Sequence, residues 1–166
     1  MNISLAIKKS TKILKDKFIP NPELDSEILM ATTIQKDRKY VLLNSNMSLS
    51  KNDLHNFNKL IEKRSIRNPI AHLTKKKFFW NTNFFVTKDT LIPRPDTELI
   101  VENILSLTKH KNKIKILDIG IGSGCILLSI LKERKNFYGT GIDISKKCLN
   151  ITKINAVNLK VYNRLK

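Results

Sequence analysis

Glycine and cysteine are scarce in this sequence. Only five glycines occur among 166 residues, and all of them lie between positions 120 and 141. Because glycine tolerates positive φ and lets a ligand or backbone come close, this distribution indicates one segment where side chains would interfere. The two cysteines, Cys125 and Cys148, are too few for a disulfide framework or a metal site. We therefore expect two small buried side chains, no bound metal and a reducing, cytoplasmic setting.

Long apolar runs are also missing. No stretch of about 20 apolar residues occurs, and the nearest candidate, 116–131, contains Asp118 and the glycines. The sequence therefore predicts no membrane span. The lysines near the N-terminus are not followed by a compact apolar segment, so a secretory signal is not expected either.

Acidic residues are few compared with basic ones. Fourteen Asp and Glu against 31 Lys and Arg give a formal net charge of +17. Such a charge suits a polyanionic partner, and nonspecific contact with RNA or the ribosome is expected at low salt. The alternative, which we favour, is the coding bias of an AT-rich gene, because lysine, asparagine and isoleucine are abundant throughout.

The first 67 residues carry apolar side chains at helical spacing. A helix is predicted over 2–18, and a second runs from Pro22, with Asn21 as its N-cap, to about Ile34. A short helix around Tyr40 and a longer one that begins at Ser50 follow. The sequence thus predicts an all-helical N-terminal domain over 1–67.

Aromatic and β-branched residues then replace the helical pattern. Phe78-Phe79-Trp80 and Phe84-Phe85-Val86 are separated by Asn81-Thr-Asn83, which predicts a β-hairpin connector within 68–92.

The remaining segment, 93–166, alternates between helix and strand patterns. Pro95 opens a helix, a strand covers 113–118, a helix covers 124–134 and a second strand ends at Asp143. Ser145 caps another helix, and 159–162 is predicted to begin a third strand. The fold class is therefore α/β, with a parallel sheet that is only partly present.

The glycines occupy the first of these strand-to-helix connections, where the sequence from Asp118 is Asp-Ile-Gly-Ile-Gly-Ser-Gly. Free amides at the start of the following helix are expected to form a polar mouth for a ligand. Asp143 lies 23 positions after Gly120, and in nucleoside-binding α/β folds an acid about 20 residues past the glycine turn binds ribose hydroxyls. Asp118 is expected to orient the turn. A strand–turn–helix without a ligand is the alternative.

A dinucleotide is disfavoured, because the dinucleotide fingerprint requires Gly or Ala at position 125, where this chain has Cys. The pattern resembles the first motif of class I S-adenosyl-L-methionine (SAM) methyltransferases instead. The predicted cofactor-binding residues are Gly120, Ile121, Gly122, Ser123, Gly124 and Asp143.

Several further segments match one family in order and spacing. They are Pro-Ile-Ala-His-Leu-Thr at 69–74, Phe79-Trp80, Thr-Leu-Ile-Pro-Arg-Pro-Asp-Thr-Glu at 90–98, the glycine turn and Asp143. The chain resembles the HemK/PrmC family, the glutamine methyltransferases of peptide chain release factors.

This resemblance implies a helical substrate-recognition domain, the hairpin connector and, over 93–166, an incomplete Rossmann-like class I methyltransferase domain. It also implies that SAM lies over the glycine turn with Asp143 on its ribose. The methyl group would pass to the side-chain amide of the Gln in the Gly-Gly-Gln loop of a release factor. The full-length enzyme would be a monomer. Arg94 and Asp96 would line the interdomain cleft or, as an equal alternative, take part in an interdomain ion pair.

The motif that holds the substrate amide in the family, Asn-Pro-Pro-Tyr, does not occur in this sequence. Its only Asn-Pro pairs are Asn21-Pro22 and Asn68-Pro69, and neither is followed by Pro. We therefore assign no catalytic residue and expect a truncated product with weak or no catalysis alone. A nucleic-acid amino-methyltransferase and a non-catalytic module that binds release factors or RNA remain as alternatives.

Overall fold

The computed structural model describes all 166 residues and divides into two compact units, 1–74 and 75–166. The first unit contains only helices. They are α1 (Ile3–Asp16), α2 (Pro22–Thr33), α3 (Arg38–Leu43), α4 (Lys51–Ser65) and α5 (Ile70–Thr74). The prediction of a helical N-terminal region is confirmed.

Local sequence explains most of the helix starts in this unit. The Ser50 hydroxyl accepts a hydrogen bond from the amide of Asp53 at 3.0 Å and donates one to its carboxylate at 2.7 Å, so the predicted capping arrangement is present. Helix α2 begins at Pro22 as predicted, but the Asn21 side chain makes no capping hydrogen bond. Proline alone therefore sets this start, because its fixed φ suits the first helical position.

The core of the helical unit is apolar and is crossed by one largely buried ion pair. Leu14, Leu29 and Phe57 are at most 1% exposed. Beside them, the Arg64 Nε donates to the Asp25 carboxylate at 2.7 Å, and Arg64 Nη1 donates to the carbonyl of Asn68 at 3.0 Å. The pair therefore ties helix α4 and the turn that follows it to the start of α2.

The second unit begins with the predicted hairpin, in which β1 (Lys76–Phe79) and β2 (Thr82–Phe85) are antiparallel. The turn consists of Trp80 and Asn81, both with positive φ (42° and 56°). The turn predicted at 81–83 therefore begins one residue earlier and ends two residues earlier, since two consecutive left-handed residues close a tight two-residue hairpin.

Helices and strands then alternate. A 3₁₀ turn at Pro95–Thr97 leads into α6 (Glu98–Leu107), which is followed by β3 (Lys115–Ile119), α7 (Cys125–Glu133), β4 (Tyr138–Ile142) and α8 (Lys146–Asn158). Strands β3 and β4 are parallel, with Asp118 opposite Gly141. Helix α7 buries Leu127, Leu128, Ile130 and Leu131 completely. The fold is therefore α/β, and none of its helices combines the length and apolarity that a membrane span requires.

The third strand does not lie where the sequence pattern places it. Leu159 ends helix α8, because its amide donates to the carbonyl of Asn155, and Lys160 has a positive φ of 58°. A 3₁₀ turn covers Tyr162–Arg164. The chain rejoins the sheet only at Leu165, which bridges Gly139 in parallel. The cap of α8 and the 3₁₀ turn thus occupy the residues that the prediction assigned to the strand.

Candidate functional site

The turn between β3 and α7 is built on three glycines with positive φ: 79° at Gly120, 57° at Gly122 and 80° at Gly124. A Cβ at Gly120 would meet no atom within 4 Å, and one at Gly122 would meet only the carbonyl oxygen of Gly120, at 3.9 Å. These two residues therefore border open space. Their conformation requires glycine, and the same absence of side chains leaves room for a ligand.

Gly124 is enclosed on its Cα side. A Cβ there would lie 2.7 Å from Leu128 Cδ1 and 3.0 Å from Thr152 Cγ2. Gly124 is also the N-cap of α7. The absence of a side chain there therefore allows α7 and α8 to pack closely against the turn. The third glycine of the motif is thus a packing residue, in contrast to the first two.

The main-chain amides of the turn are largely used within the chain. The amides of Gly120 and Ile121 both donate to the carbonyl of Ile142, and that of Gly124 donates to the carbonyl of Ile121. The amide of Gly122 donates to Asp143 Oδ2 at 2.9 Å. These four amides are therefore not free: the end of β4 and its acid bind three of them, and the turn itself binds that of Gly124. The predicted mouth of free amides at the start of α7 stays a prediction.

Asp143 is held at both carboxylate oxygens. Oδ1 accepts from the amide of Ser145 at 2.8 Å, and Oδ2 accepts from Gly122. These two amides, Ser145 above all, hold the pKa of the carboxyl below its usual value. The side chain is only partly buried, and each oxygen has a second lone pair. Asp143 is thus an ionised, fixed acceptor at the edge of the turn.

Asp118, the last acid of β3, has the opposite electrostatic setting. Partial burial raises its pKa above the usual value, the charge of Asp143 adds to the rise, and a hydrogen bond from the Leu127 amide opposes it. Leu127 belongs to the first turn of α7, so Asp118 satisfies a helix amide that Gly124 cannot cap. The orienting role of Asp118 stays a prediction.

The other two predicted site residues turn their side chains inward. Ile121 is 5% exposed and Ser123 3% exposed, and the Ile121 side chain contacts the Cα side of Gly141. A ligand at the turn would therefore meet these residues through their main chain. All six predicted residues lie together at the ends of β3 and β4.

Two site residues that the sequence analysis missed lie on α8. The Thr152 hydroxyl donates to the carbonyl of Gly122 at 2.8 Å, and Asn155 Nδ2 donates to the carbonyl of Ser123 at 2.9 Å. Both side chains are at most 3% exposed. The signal available in the sequence was a pair of polar residues three positions apart on the face of a helix that packs against a motif.

Other candidates lie apart from this cluster. Arg94 and Asp96 are exposed, and the role predicted for them, in the interdomain cleft or in an interdomain ion pair, stays a prediction. The Cys148 thiol is buried and donates to the carbonyl of Asp89. Cys125 is half-buried, and burial raises the pKa of its thiol. Cys125 is therefore not an activated thiolate.

Comparison with known proteins gives a consistent result. Residues 6–74 match the family model described as the PrmC N-terminal domain. The chain is 40% identical over 163 residues to the release factor glutamine methyltransferase of Buchnera aphidicola subsp. Acyrthosiphon pisum, in an alignment that covers 98% of the chain and 58% of that relative. The corresponding enzyme of Leptospira interrogans is 38% identical, with 95% and 56% covered.

A third relative, the release factor glutamine methyltransferase of Clostridium acetobutylicum, is 36% identical, with 100% of the chain and 58% of the relative covered. The chain thus spans somewhat less than three fifths of the length of the relatives it matches. Within that span the similarity includes both the helical unit and the glycine turn. These matches confirm the resemblance to the HemK/PrmC family that the motifs indicated.

Proposed function

We propose that this chain binds SAM at the glycine turn and serves the methylation of the glutamine side-chain amide in the Gly-Gly-Gln loop of peptide chain release factors. The observation that carries the proposal is that the open glycine turn lies beside Asp143, whose two carboxylate oxygens both accept main-chain hydrogen bonds. The relatives of this chain are named release factor glutamine methyltransferases.

The residues of the turn fit SAM better than a pyrophosphate-containing cofactor. A pyrophosphate at a glycine turn binds free main-chain amides of the turn and of the helix that follows, whereas the turn amides of Gly120, Ile121 and Gly122 already have acceptors within the chain. Two carboxyl groups, Asp118 and Asp143, also lie close enough for the charge of one to affect the pKa of the other. Negative charge at this place favours a cationic sulfonium and opposes a phosphate.

Each residue then has a defined task. SAM, when bound, supplies a methyl group on a positively charged sulfur. Asp143 would accept hydrogen bonds from the ribose hydroxyls, for which its fixed position and lowered pKa suit it. Gly120 and Gly122 would let the nucleoside approach bare main chain. Over 93–166, we propose that these elements belong to a class I, Rossmann-like domain of which β3 and β4 are the first two strands.

The holding of the substrate amide is a separate requirement. An amide nitrogen is a weak nucleophile because its lone pair is delocalised, so positioning must supply much of the rate, up to about 7–11 kcal/mol. The Asn-Pro-Pro-Tyr motif that does this in the family does not occur in these 166 residues. We therefore expect SAM binding by this chain and only weak methyl transfer.

For recognition of the release factor we propose the helical unit. Helices α1, α2 and the start of α3 border a groove of about 780 Å³, whose lining includes Thr11, Lys15, Glu27 and Arg38. The Thr11 hydroxyl oxygen is buried and makes no hydrogen bond within the chain. Such a charged groove suits a polar polypeptide surface. Lys15→Glu should weaken release-factor binding, whereas Lys51→Glu, outside the groove, should not.

The experiment has two stages. Isothermal titration with SAM tests cofactor binding by the folded chain. Transfer of labelled methyl from SAM to a release factor, compared with a release factor whose Gly-Gly-Gln glutamine is replaced by alanine, tests the target. We expect measurable SAM binding and a small, glutamine-dependent signal. If the folded chain does not bind SAM, SAM is refuted as its cofactor. If both release factors are labelled equally, the glutamine is refuted as the methylated residue.

The net charge of +17 supports a second candidate, a nucleic-acid amino-methyltransferase. Electrostatic binding to nucleic acid weakens steeply with salt. Methyl transfer to DNA with a sequence preference would favour this candidate. Salt-sensitive binding without transfer would leave the charge as a nonspecific property of the surface.

A further inference from the structure

Helix α8 carries a buried polar stripe that consists of Cys148, Thr152 and Asn155, hereafter the α8 stripe. Every member donates a hydrogen bond to a main-chain carbonyl outside the helix. The acceptors are Asp89 for Cys148, Gly122 for Thr152, and both Phe85 and Ser123 for Asn155. One helix face therefore binds the glycine turn on one side and the segment 85–89, which follows the hairpin, on the other.

Asn155 is the central member of the stripe because it joins both sides by itself. Its Oδ1 accepts from the amide of Phe85 at 2.7 Å, and its Nδ2 donates to the carbonyls of Phe85 and Ser123, each at 2.9 Å. The residue is 1% exposed. A buried carboxamide with three partners in two segments has a single orientation, since any rotation leaves buried polar groups unpaired.

Thr152 holds the same turn at Gly122, the residue before Ser123. The carbonyl of Gly122 accepts from its hydroxyl, while the amide of Gly122 donates to Asp143. The main chain at Gly122 is thus held on one side by the proposed ribose acceptor and on the other by α8. A ligand that restrains Asp143 would therefore also restrain Gly122 and, through its carbonyl, Thr152. Asn155 lies one helical turn further along α8.

We propose that Thr152 and Asn155 are positioning residues for the cofactor-binding turn, and that Asn155 couples the turn to strand β2. A ligand at the turn therefore also orders the hairpin at Phe85. This inference rests on the proposed function for the identity of the ligand, whereas the coupling between the turn and the hairpin does not depend on it. The stripe thus relates the cofactor turn to the segment that leads into residues 90–98.

The first test separates a positioning role from a merely structural one at Thr152. Thr152→Val keeps the shape and removes the hydroxyl, whereas Thr152→Ser keeps the hydroxyl. Titration with SAM at a temperature where both variants are folded should give a dissociation constant raised roughly fivefold for Thr152→Val, the loss of one ordinary hydrogen bond, and near that of the parent chain for Thr152→Ser. Equal affinities, or a larger loss for the serine variant, would overturn the role of Thr152.

The second test follows amide hydrogen exchange at Phe85 and at 120–124. In the parent chain, SAM should slow exchange in both segments. Asn155→Asp removes both donated hydrogen bonds at nearly constant size and should abolish the slowing at Phe85, while Asn158→Asp, at an exposed position of the same helix, should retain it. Protection confined to the turn in the parent chain would overturn the coupling.

Amide hydrogen exchange measured without ligand tests the coupling between the turn and the hairpin even if SAM does not bind. Asn155→Asp should then accelerate exchange at both Phe85 and 120–124 and leave 1–74 unchanged. Acceleration of one segment alone would refute the coupling, and absence of SAM binding in the parent chain would refute only the proposed cofactor. If Asn155→Asp does not fold, exchange in Thr152→Val decides, with faster exchange at Phe85 expected and an unchanged rate there contradicting the proposal.

Discussion

Asp143 Oδ2 accepts a hydrogen bond from the amide of Gly122 at 2.9 Å, across 21 residues of sequence. An acid that the motif suggests only as a ligand contact is therefore also part of the turn's own structure. Because Ser145 holds the second oxygen, the carboxylate needs no rearrangement to receive a ligand, and the entropy of ordering it has already been spent in folding.

Replacement of this acid should weaken SAM binding strongly. Asp143→Ala removes an ionised acceptor, and hydrogen bonds to charged groups are worth about 1.5–3 kcal/mol, so the dissociation constant should rise roughly 10- to 100-fold. Asp96→Ala, which removes an exposed carboxylate of the same unit, is the control and should bind normally. Calorimetric titration measures both, and unchanged affinity in Asp143→Ala would exclude the acid from the site.

The three glycines of the turn should respond differently to substitution. Gly124→Ala combines a left-handed conformation, about 1–2 kcal/mol, with a Cβ forced against Leu128 and Thr152, about 1–3 kcal/mol. Gly120→Ala carries only the conformational term, since its Cβ meets open space. Urea unfolding should therefore find Gly124→Ala the less stable variant. The opposite order would contradict the packing described around α7.

Asp118 should make stability depend on pH in an unusual direction. Burial raises its pKa above the ordinary 3.8, so the folded chain binds a proton at a higher pH than the unfolded chain does. As pH falls from neutral towards 3.8, protonation of Asp118 therefore favours the folded state. Asp143 acts oppositely: its lowered pKa means that its contribution is lost only as pH falls below 3.8.

Asp118→Asn should remove the first effect and keep an acceptor for the Leu127 amide. We expect the variant to be at least as stable as the parent chain at neutral pH, and the difference between them to shrink as the pH approaches 3.8. Denaturation at a series of pH values measures this difference. A constant difference across the series would show that Asp118 does not titrate in this range.

The two ion pairs of the helical unit should differ in importance. In the Arg64–Asp25 pair the side chains are 16% and 9% exposed, whereas in the Arg38–Glu27 pair the arginine is 50% exposed. Arg64→Ala leaves a buried carboxylate unpaired and should destabilise the unit by about 3–5 kcal/mol. Arg38→Ala also leaves a carboxylate, that of Glu27, which is 9% exposed, but water replaces a half-exposed arginine more readily, so we expect a smaller loss of about 1–3 kcal/mol. Similar losses in thermal unfolding would contradict this assignment.

The face of the parallel sheet that exposes Leu117, Ile119 and Ile142 should promote self-association of the chain. These side chains are 59%, 75% and 46% exposed, and adjacent exposed apolar residues mark an association surface. Ile119→Lys should shift the sedimentation distribution towards the monomer. Leu107→Lys removes an equally exposed apolar residue (82% exposed) from α6 and should not. An equal effect of the two substitutions would indicate nonspecific association through exposed apolar residues instead.

Features with local causes were predictable from the sequence. Ser50 and Ser145 cap the helices expected of them, Pro22 starts α2, and the succession of strand, glycine turn and helix is where the motif indicates it. Each of these depends on residues within four positions of one another, so the pattern contains the whole cause.

Features with distant causes were missed. The carbonyl of Gly122 finds its donor 30 residues later in Thr152, and Asn155 bonds Phe85 from 70 residues away. No periodicity encodes such pairs. The start of the third strand was misplaced for a related reason, because the residues at 159–162 are compatible with either a strand or a helix end, and in the structure they cap α8 and begin a 3₁₀ turn.

The carboxamide of Asn155 has one more consequence, which concerns solubility during folding. Strand β2 lies at the margin of a two-stranded sheet, where an unpaired amide and carbonyl would offer a template to any other extended chain. At Phe85 both groups are already bonded to Asn155. A single side chain thus takes the place of a neighbouring strand there and protects the hairpin from pairing with another polypeptide.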